Sequence, residues 1–391
     1  MNTFDPQIIW DAQTNRFYYV NDSIFSASDN RLSFGFSKTA SPNNGTTDFC
    51  HYTFPYGAEF PDYPKLGDSQ HFIIIGVNTF APSFIGSDII AISKPPAGTT
   101  CPAFDSFKTG VKSDIRDNAA NQTFTPVPAN QIDTNGIGHV VTRNGGLPST
   151  KLWFYNVRRN PGPGPDTGLP IFGNARGLTV PSYTFPPDAP AGIGTLRKLD
   201  ALDARPTQAM QSINPDRGTF SFWVQHTIGA AGSAVSGIRW YEINPVPAAP
   251  VKLLHGNIFR GGTFLFNAAI SSDRKVRTGV ASQFGDSFAI HFSVTKSTAP
   301  GINPRIEVAS SFNGAPLGAA AVIKSSPGPY VDFSCGGATD TCRWGDYAGA
   351  NPDPAPPADT RGVVWGTNQW GSGSVSTAQA NWRTQIFALR P

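Results

Sequence analysis

Glutamate is almost missing from this chain: among 391 residues it occurs only at Glu59, Glu242 and Glu307. Glutamate favours helices, whereas the aspartates found instead suit turns, where a short carboxylate bonds nearby backbone N–H groups. Helix is therefore expected to be scarce. Charge is thin too, at 15% of residues with a formal net of +3. The basic residues are scattered, so no Lys/Arg cluster marks a nucleic-acid or membrane footprint, and no nucleic-acid partner is expected. No apolar run approaches the roughly 20 residues a membrane-spanning helix needs. CxxC pairs, Cys/His spacings and HExxH are absent, which excludes a dedicated zinc site, and no metal is assigned. No GxGxxG, Walker or GxSxG element stands in a strand–turn–helix context. What is abundant is Gly (40), Pro (35) and aromatic residues (12%). Many short strands joined by tight turns have this composition; disorder would need fewer apolar residues and more charge.

A loose repeat organises the chain. A turn-rich segment followed by a buried apolar run recurs as FDPQIIWDAQTNRFYYV from Phe4, FPDYPKLGDSQHFIIIGV from Phe60 and VPANQIDTNGIGHVVTRN from Val127. It returns from Leu202, from Phe266 and from Trp344. Each unit offers a further strand, at 31–38, 87–94, 151–157, 238–244, 287–296 and 381–389. DFCHYTF at 48–54 and PRIEVASSF at 304–312 read as outer strands of the first and fifth units. The expectation is all-β: a single β-propeller domain over 1–391, built of four-stranded antiparallel blades. Six blades are expected, with seven as the alternative, because the last unit runs out of chain one strand short. Loops are expected at 95–125, 158–176, 181–195 and 349–361, where Pro and Gly argue against regular structure.

Cys335 and Cys342 flank a small Gly/Thr loop, and Cys50 and Cys101 form the remaining pair, so two disulfides are expected. Disulfides belong to oxidising compartments. MNTFDPQIIW carries neither a basic nor an apolar leader. An exported or cell-surface protein, its signal peptide not part of this chain, is the expected reading. Asn21, Asn44 and Asn121 begin glycosylation triplets.

In a propeller the first strand of each blade lines the central channel. Reading across the unit starts collects Asp5, Asp62 with Tyr63, Asp203 with Arg205, and Arg343 with Asp346 and Tyr347. Arginine grips carboxylates bidentately, and a carboxyl of raised pKa beside an ionised one can act as acid and base. Asp62, Tyr63, Asp203, Arg205, Arg343, Asp346 and Tyr347 are the candidate catalytic residues. Asp62, Tyr63, Arg205, Arg343 and Tyr347 are the candidates for ligand binding. The same pairs could instead tie blades together, and Gly345-Asp346 reads as a turn. His139 and His226 recur at similar strand positions and could serve a lyase as a base. Trp344, Trp365, Trp370 and Trp382 could stack on sugars or fill the core. No cofactor is expected; structural calcium is an alternative at the oxygen-rich turns 133–136 and 214–218, but these lack the D-x-D-x-D ladder of a dedicated loop, and type-I turn chemistry is the simpler explanation.

DPQIIWDAQTNRFYYV, FPDYPKLGD, LRKLDALDARPTQAM with WVQHT and IRWYEIN, and RWGDYAGANPDP with NWRTQIF together resemble a group of secreted bacterial proteins. These are frequent in actinobacteria and belong to the sialidase-like β-propeller superfamily. The resemblance covers essentially the whole chain, and RWGDY is its most specific element. It implies a propeller and activity towards, or binding of, glycans. Sialidase chemistry itself is not expected: the S-x-D-x-G-x-x-W box and an FRIP-like motif are absent. Tyr241–Glu242, adjacent on a strand, point to opposite faces. The leading expectation is binding of a glycan or polysaccharide at the channel mouth. The alternatives are a glycoside hydrolase or polysaccharide lyase using the same cluster, and a structural or surface-assembly subunit. Oligomeric state has no signature in the sequence.

Overall fold

The computed structural model describes residues 2–96, 100–161, 167–230, 232–276, 281–354, 361–373 and 375–391. Among these described residues the only helix is the single 3₁₀ turn Phe104–Ser106. Strands are ordered as successive antiparallel meanders, the topology of a β-propeller. Unit 1 runs Asn2–Asp11, Arg16–Ser26, Asp29–Ser37, Phe49–Gly57. Unit 2 runs Phe60–Asp68, Phe72–Phe80, Phe84–Ser93, Thr109–Lys112. Unit 3 starts with Thr123–Gln131, unit 4 with Pro206–Asn214, unit 5 with Phe264–Ser272 and unit 6 with Gly349–Pro352. These first strands pack side by side in chain order. Those of units 3 and 4 pair directly in parallel, Ala209 with Ala129 and Gln211 with Gln131.

Blade packing explains the apolar runs. In Phe72–Phe80 nearly every residue is buried, because each face of the strand meets a different neighbour. Ile73, Ile75 and Val77 join Tyr18, Val20 and Phe34 of unit 1. Phe72 and Ile74 turn the other way, to Val140, Tyr155 and Val157 of unit 3. Truncating such a side chain to Ala costs about 2–5 kcal/mol.

Both expected disulfides are formed, Cys50–Cys101 and Cys335–Cys342. Several element expectations need correction. Segment 304–312 is the third strand of unit 5, Ile302–Ser311; the outer strand is Ala321–Ser325. Part of the expected loop 158–176, and the stretch that follows it, form Pro170–Phe172 and Arg176–Tyr183, both paired to Ser149–Arg159. The loop expected at 95–125 contributes Thr109–Lys112 as an outer strand. Parts of the expected loops 95–125, 158–176 and 349–361 lie outside the described residues. Unit 6 shows three strands, Gly349–Pro352, Val364–Gly371 and Trp382–Leu389.

Two features position the channel mouth. One is a bulge shared by the first strands of units 1 to 5. Two residues there oppose one on the second strand: Asp5-Pro6, Tyr63-Pro64, Thr125-Pro126, Thr207-Gln208 and Asn267-Ala268. Asp5, Tyr63, Thr125 and Asn267 take left-handed φ values of 51°, 58°, 56° and 47°. Non-glycine residues reach that region at a cost, and such bulges re-aim side chains. The other feature is a small sheet of Ala189–Pro190, Lys198–Leu199 and Thr341–Cys342. Its parallel pairing of Leu199 with Cys342 sets the lead-in to unit 4 beside the lead-in to unit 6.

Candidate functional site

The bulges of units 1 and 2 and the two lead-ins converge on one pocket of about 250 Å³. Asp5 comes from unit 1, and Asp62 and Tyr63 from unit 2. Asp200, Leu202, Asp203 and Arg205 come from the lead-in to unit 4, and Arg343 and Asp346 from that to unit 6. At ~30 Å³ per water the space equals about eight waters. Six of the seven candidates named from the sequence therefore line one cavity. Tyr347 stands behind the lining, its ring stacked on Tyr63 at 5.2 Å.

Much of this cluster is engaged in holding the mouth together. Arg205 grips Asp203 with two hydrogen bonds, at 2.7 and 2.8 Å. Its guanidinium also lies over the rings of Tyr63 and Phe124, at 4.7 and 4.8 Å. Arg143 of unit 3 reaches the same carboxylate at 3.3 Å. Burial pushes the Asp203 pKa up, but Arg205 and then Arg143 more than offset it, so the carboxyl stays below its ordinary range. Tyr63 is buried and donates its hydroxyl to the Asp346 carbonyl, joining unit 2 to unit 6. The Lys65 ammonium lies against both the Tyr63 and the Tyr347 ring, 3.7 and 4.0 Å from their centroids. Burial drives its pKa well below that of a free lysine, and the two ring faces supply the attraction hydrogen bonds would otherwise give.

The rest of the lining is freer. Arg343 keeps 69% of its side chain in solvent while pairing with Asp346. Burial raises the pKa of Asp5; the Tyr347 hydroxyl works against this and Asp346 adds to it. Burial and then the Asp5 charge raise Asp62. Burial likewise raises Asp200.

Directly behind Asp5 and Asp62 lies Asp22, a residue sequence reasoning missed. It is 1% exposed, and neither carboxylate oxygen has a hydrogen-bond partner among the described residues. Burial, then Asp5 and Asp62, push its pKa up to about 7, tempered by the nearby amides of Phe4 and Asp22. One oxygen from each of Asp5, Asp22 and Asp62 lies within 4.8 Å of the others. Nothing in the sequence marks it, because the bulge it stands opposite is visible only in the strand register.

The histidines are elsewhere. His139 and His226 are each 1% exposed, and neither lines the pocket. Burial pushes their pKa values down to about 4 and about 3. His139 bonds Gln211, and His226 bonds the Ala204 carbonyl and the Tyr241 hydroxyl, so the lyase-base expectation has no geometry behind it. Trp344 is core, donating to Ser293 at 3.1 Å, whereas Trp365 and Trp382 are 45% and 46% exposed on unit 6. Glu242 is buried against Asn214, Ser221 and Arg217, away from the mouth.

No protein-family model matches the chain, and no curated protein matches it by sequence. Among solved structures, Trypanosoma rangeli sialidase in complex with sialic acid is similar at 10% identity and a TM-score of 0.41, covering 99% of this chain. A glycoside hydrolase is similar at 10% identity and a TM-score of 0.36, covering 85% of this chain and 88% of its own. The chain spans about half the length of the sialidase, 54%. At these scores the likenesses decide nothing about activity, and the propeller assignment rests on the strand topology.

Proposed function

We propose that the mouth pocket binds a hydroxyl-rich, neutral glycan on an exported protein. The pocket lining carries this reading. Five carboxylates, of Asp5, Asp62, Asp200, Asp203 and Asp346, and two guanidiniums, of Arg205 and Arg343, surround about 250 Å³. Carboxylates accept hydrogen bonds and guanidiniums donate them, which suits sugar hydroxyls that do both. The excess of acids disfavours an acidic sugar. Arg205, expected from sequence to grip a substrate carboxylate, is already committed to Asp203. Arg343 is the guanidinium left to meet a ligand. Two disulfides fit an oxidising compartment, and no helix among the described residues is long and apolar enough to cross a membrane.

A glycoside hydrolase is the second reading. One observation favours it: around the same pocket, Asp5 and Asp62 are pushed up while Asp203 is held down. Separated carboxyl pKa values mark acid and base roles. Against it, Asp203 is bound by two arginines.

The test is a glycan array and a polysaccharide-cleavage panel on wild type, Arg343→Ala and Asp62→Asn. Retention of neutral glycans that both substitutions weaken is the expected result. Folded wild type that retains no glycan, or retention that ignores both substitutions, overturns the binding reading. Cleavage lost in Asp62→Asn would move the assignment to the hydrolase.

A further inference from the structure

We propose that Asp5, Asp22 and Asp62 hold a divalent cation, calcium by preference, at the seam between units 1 and 2. The site does not depend on a glycan in the pocket.

The argument begins with what the other units do at the same place. The second-strand residue opposite the start of each bulge is Asp22, Asn78, Arg143, His226 and Ser293 in units 1 to 5. In three of them this residue ties its unit to the next. Asn78 donates to the Thr125 hydroxyl at 3.0 Å and accepts from the Thr125 amide at 2.8 Å. Arg143 pairs with Asp203 at 3.3 Å, and Ser293 accepts from Trp344 at 3.1 Å. Each tie matches a donor with an acceptor. In unit 1 the same position is Asp22, and across the seam stands Asp62, with Asp5 beside both. Here acceptor faces acceptor, and with the side chain 1% exposed the two oxygens of Asp22 complete no hydrogen bond, only the amides of Phe4 and Asp22 coming near. A buried carboxylate without a partner is costly, and the cost is relieved by protonation, by a counter-charge or by a metal. Lys65 lies against two tyrosine rings and interacts with Asp5 and Asp62 only through space, making no hydrogen bond to the three.

Geometry and donor chemistry agree on the occupant. The three oxygens lie within 4.8 Å of one another. For three oxygens so spaced there is a point no more than about 2.8 Å from each, a few tenths of an ångström from the 2.3–2.6 Å of a calcium–oxygen bond. The donor set is purely carboxylate, which selects hard cations over zinc or copper. Asp5 and Asp62 are half-buried and open to the pocket, leaving coordination positions for water or other oxygens. This is the only such group of His, Cys, Asp or Glu among the described residues. The oxygen-rich turns are less suited: Asp133 is saturated by Arg274 and the Ile213 amide, and Asp216 is exposed.

The test uses the full chain, stripped with EDTA, followed by titration calorimetry and thermal unfolding with CaCl2, MgCl2 or MnCl2. Terbium luminescence sensitised by tyrosine gives an independent readout. Wild type should bind calcium saturably and unfold several degrees higher with it. Asp22→Asn puts an amide where unit 2 has Asn78, so it should fold, unfold above wild type in EDTA, and lose the calcium response. Asp62→Asn should weaken calcium binding tenfold or more, and Asp216→Asn in the exposed turn should leave it unchanged. No saturable binding by wild type up to about 10 mM of any of the three ions, about ten times the weak end of extracellular calcium sites, overturns the proposal. So does a calcium response that survives in Asp22→Asn, and binding of magnesium alone overturns the calcium assignment.

Discussion

Unit 2 and unit 1 carry the same bulge and resolve it in opposite ways. In unit 2, Asn78 offers both a donor and an acceptor, and Thr125 of unit 3 uses both. In unit 1, Asp22 offers only acceptors to a seam already lined with carboxylates. The backbone problem is one and the same, a left-handed residue on an inner strand whose neighbour across the seam must be satisfied. What differs is whether the polar groups close on each other or stay available to something from outside. The closed seams are structural. The open one, continuous with the mouth pocket, is where a ligand or ion can be accommodated. The pattern also sorts the site residues: Asp203 and Arg205 belong with the closed seams, Asp5, Asp62 and Arg343 with the open side.

The strongest way to break that sorting is at Asp203. If it closes a seam, Asp203→Asn takes the carboxylate from Arg205 and from Arg143, whose side chain is 4% exposed and keeps only the neutral Asn144 and Gly145 carbonyls as acceptors. Removing one partner of a buried ion pair costs about 3–5 kcal/mol. Urea unfolding should show that loss. An Asp203→Asn protein of wild-type stability would return Asp203 to the open group.

The next test turns unit 2 into unit 1. Asn78→Asp removes the donor to Thr125 and buries a charge in a site that is 0% exposed. A drop of about 2 kcal/mol in unfolding free energy is expected at neutral pH. It should shrink as pH falls and the new carboxyl protonates. Unfolding midpoints at pH 7 and pH 5 check both parts.

These predictions lean on proximities that the sequence shows unequally. The inner strands announce themselves, because DP, DYP and an apolar run recur at each unit start, and the mouth residues Asp62, Tyr63, Arg205 and Arg343 follow from counting strands inward. Asp22 was invisible for a physical reason. It sits in the ordinary strand Arg16–Ser26, and what makes it unusual is Asp62, 40 residues away and brought near only when two blades pack. Asp200 was missed because it depends on the Leu199–Cys342 bridge, a pairing too short to leave a pattern. His139 and His226 misled because strand alternation says which face a residue takes, and in this fold both faces of a middle strand are buried.

Acid sensitivity probes a closed seam from another side. His291 donates from Nε2 to the Gly349 carbonyl at 2.9 Å, while its Nδ1 accepts from the Asn368 amide at 3.1 Å. Both nitrogens are thus fixed in the neutral form, and burial pushes the pKa down to about 4. The unfolded chain, with a histidine pKa near 6.5, takes up a proton that the folded one refuses. Stability from this group is therefore complete above about pH 6.5 and is lost as pH falls towards 4. Buried carboxyls with raised pKa values, such as Asp68 and Asp273 at about 6, slope the other way, so the difference between wild type and His291→Gln isolates the histidine. The variant should lose stability less steeply between pH 6.5 and 4.5; parallel curves would mean that His291 titrates normally in the fold.

The smallest expected effect on stability sharpens the comparison most. Arg343 leaves 69% of its side chain in solvent, and its one ion pair among the described residues, with Asp346, is open to water on the arginine side. Such pairs contribute about 0–1 kcal/mol. Arg343→Ala should therefore unfold within about 0.5 kcal/mol of wild type, unlike any change at the closed seams. Removing it also makes the mouth more acidic, leaving Arg205 as the sole guanidinium in the lining. If the pocket recognises a neutral glycan through this group, retention should fall while the unfolding curve stays put. A guanidinium that could be deleted with neither consequence would have no function at the mouth, and the open side of the comparison would reduce to the three aspartates behind it.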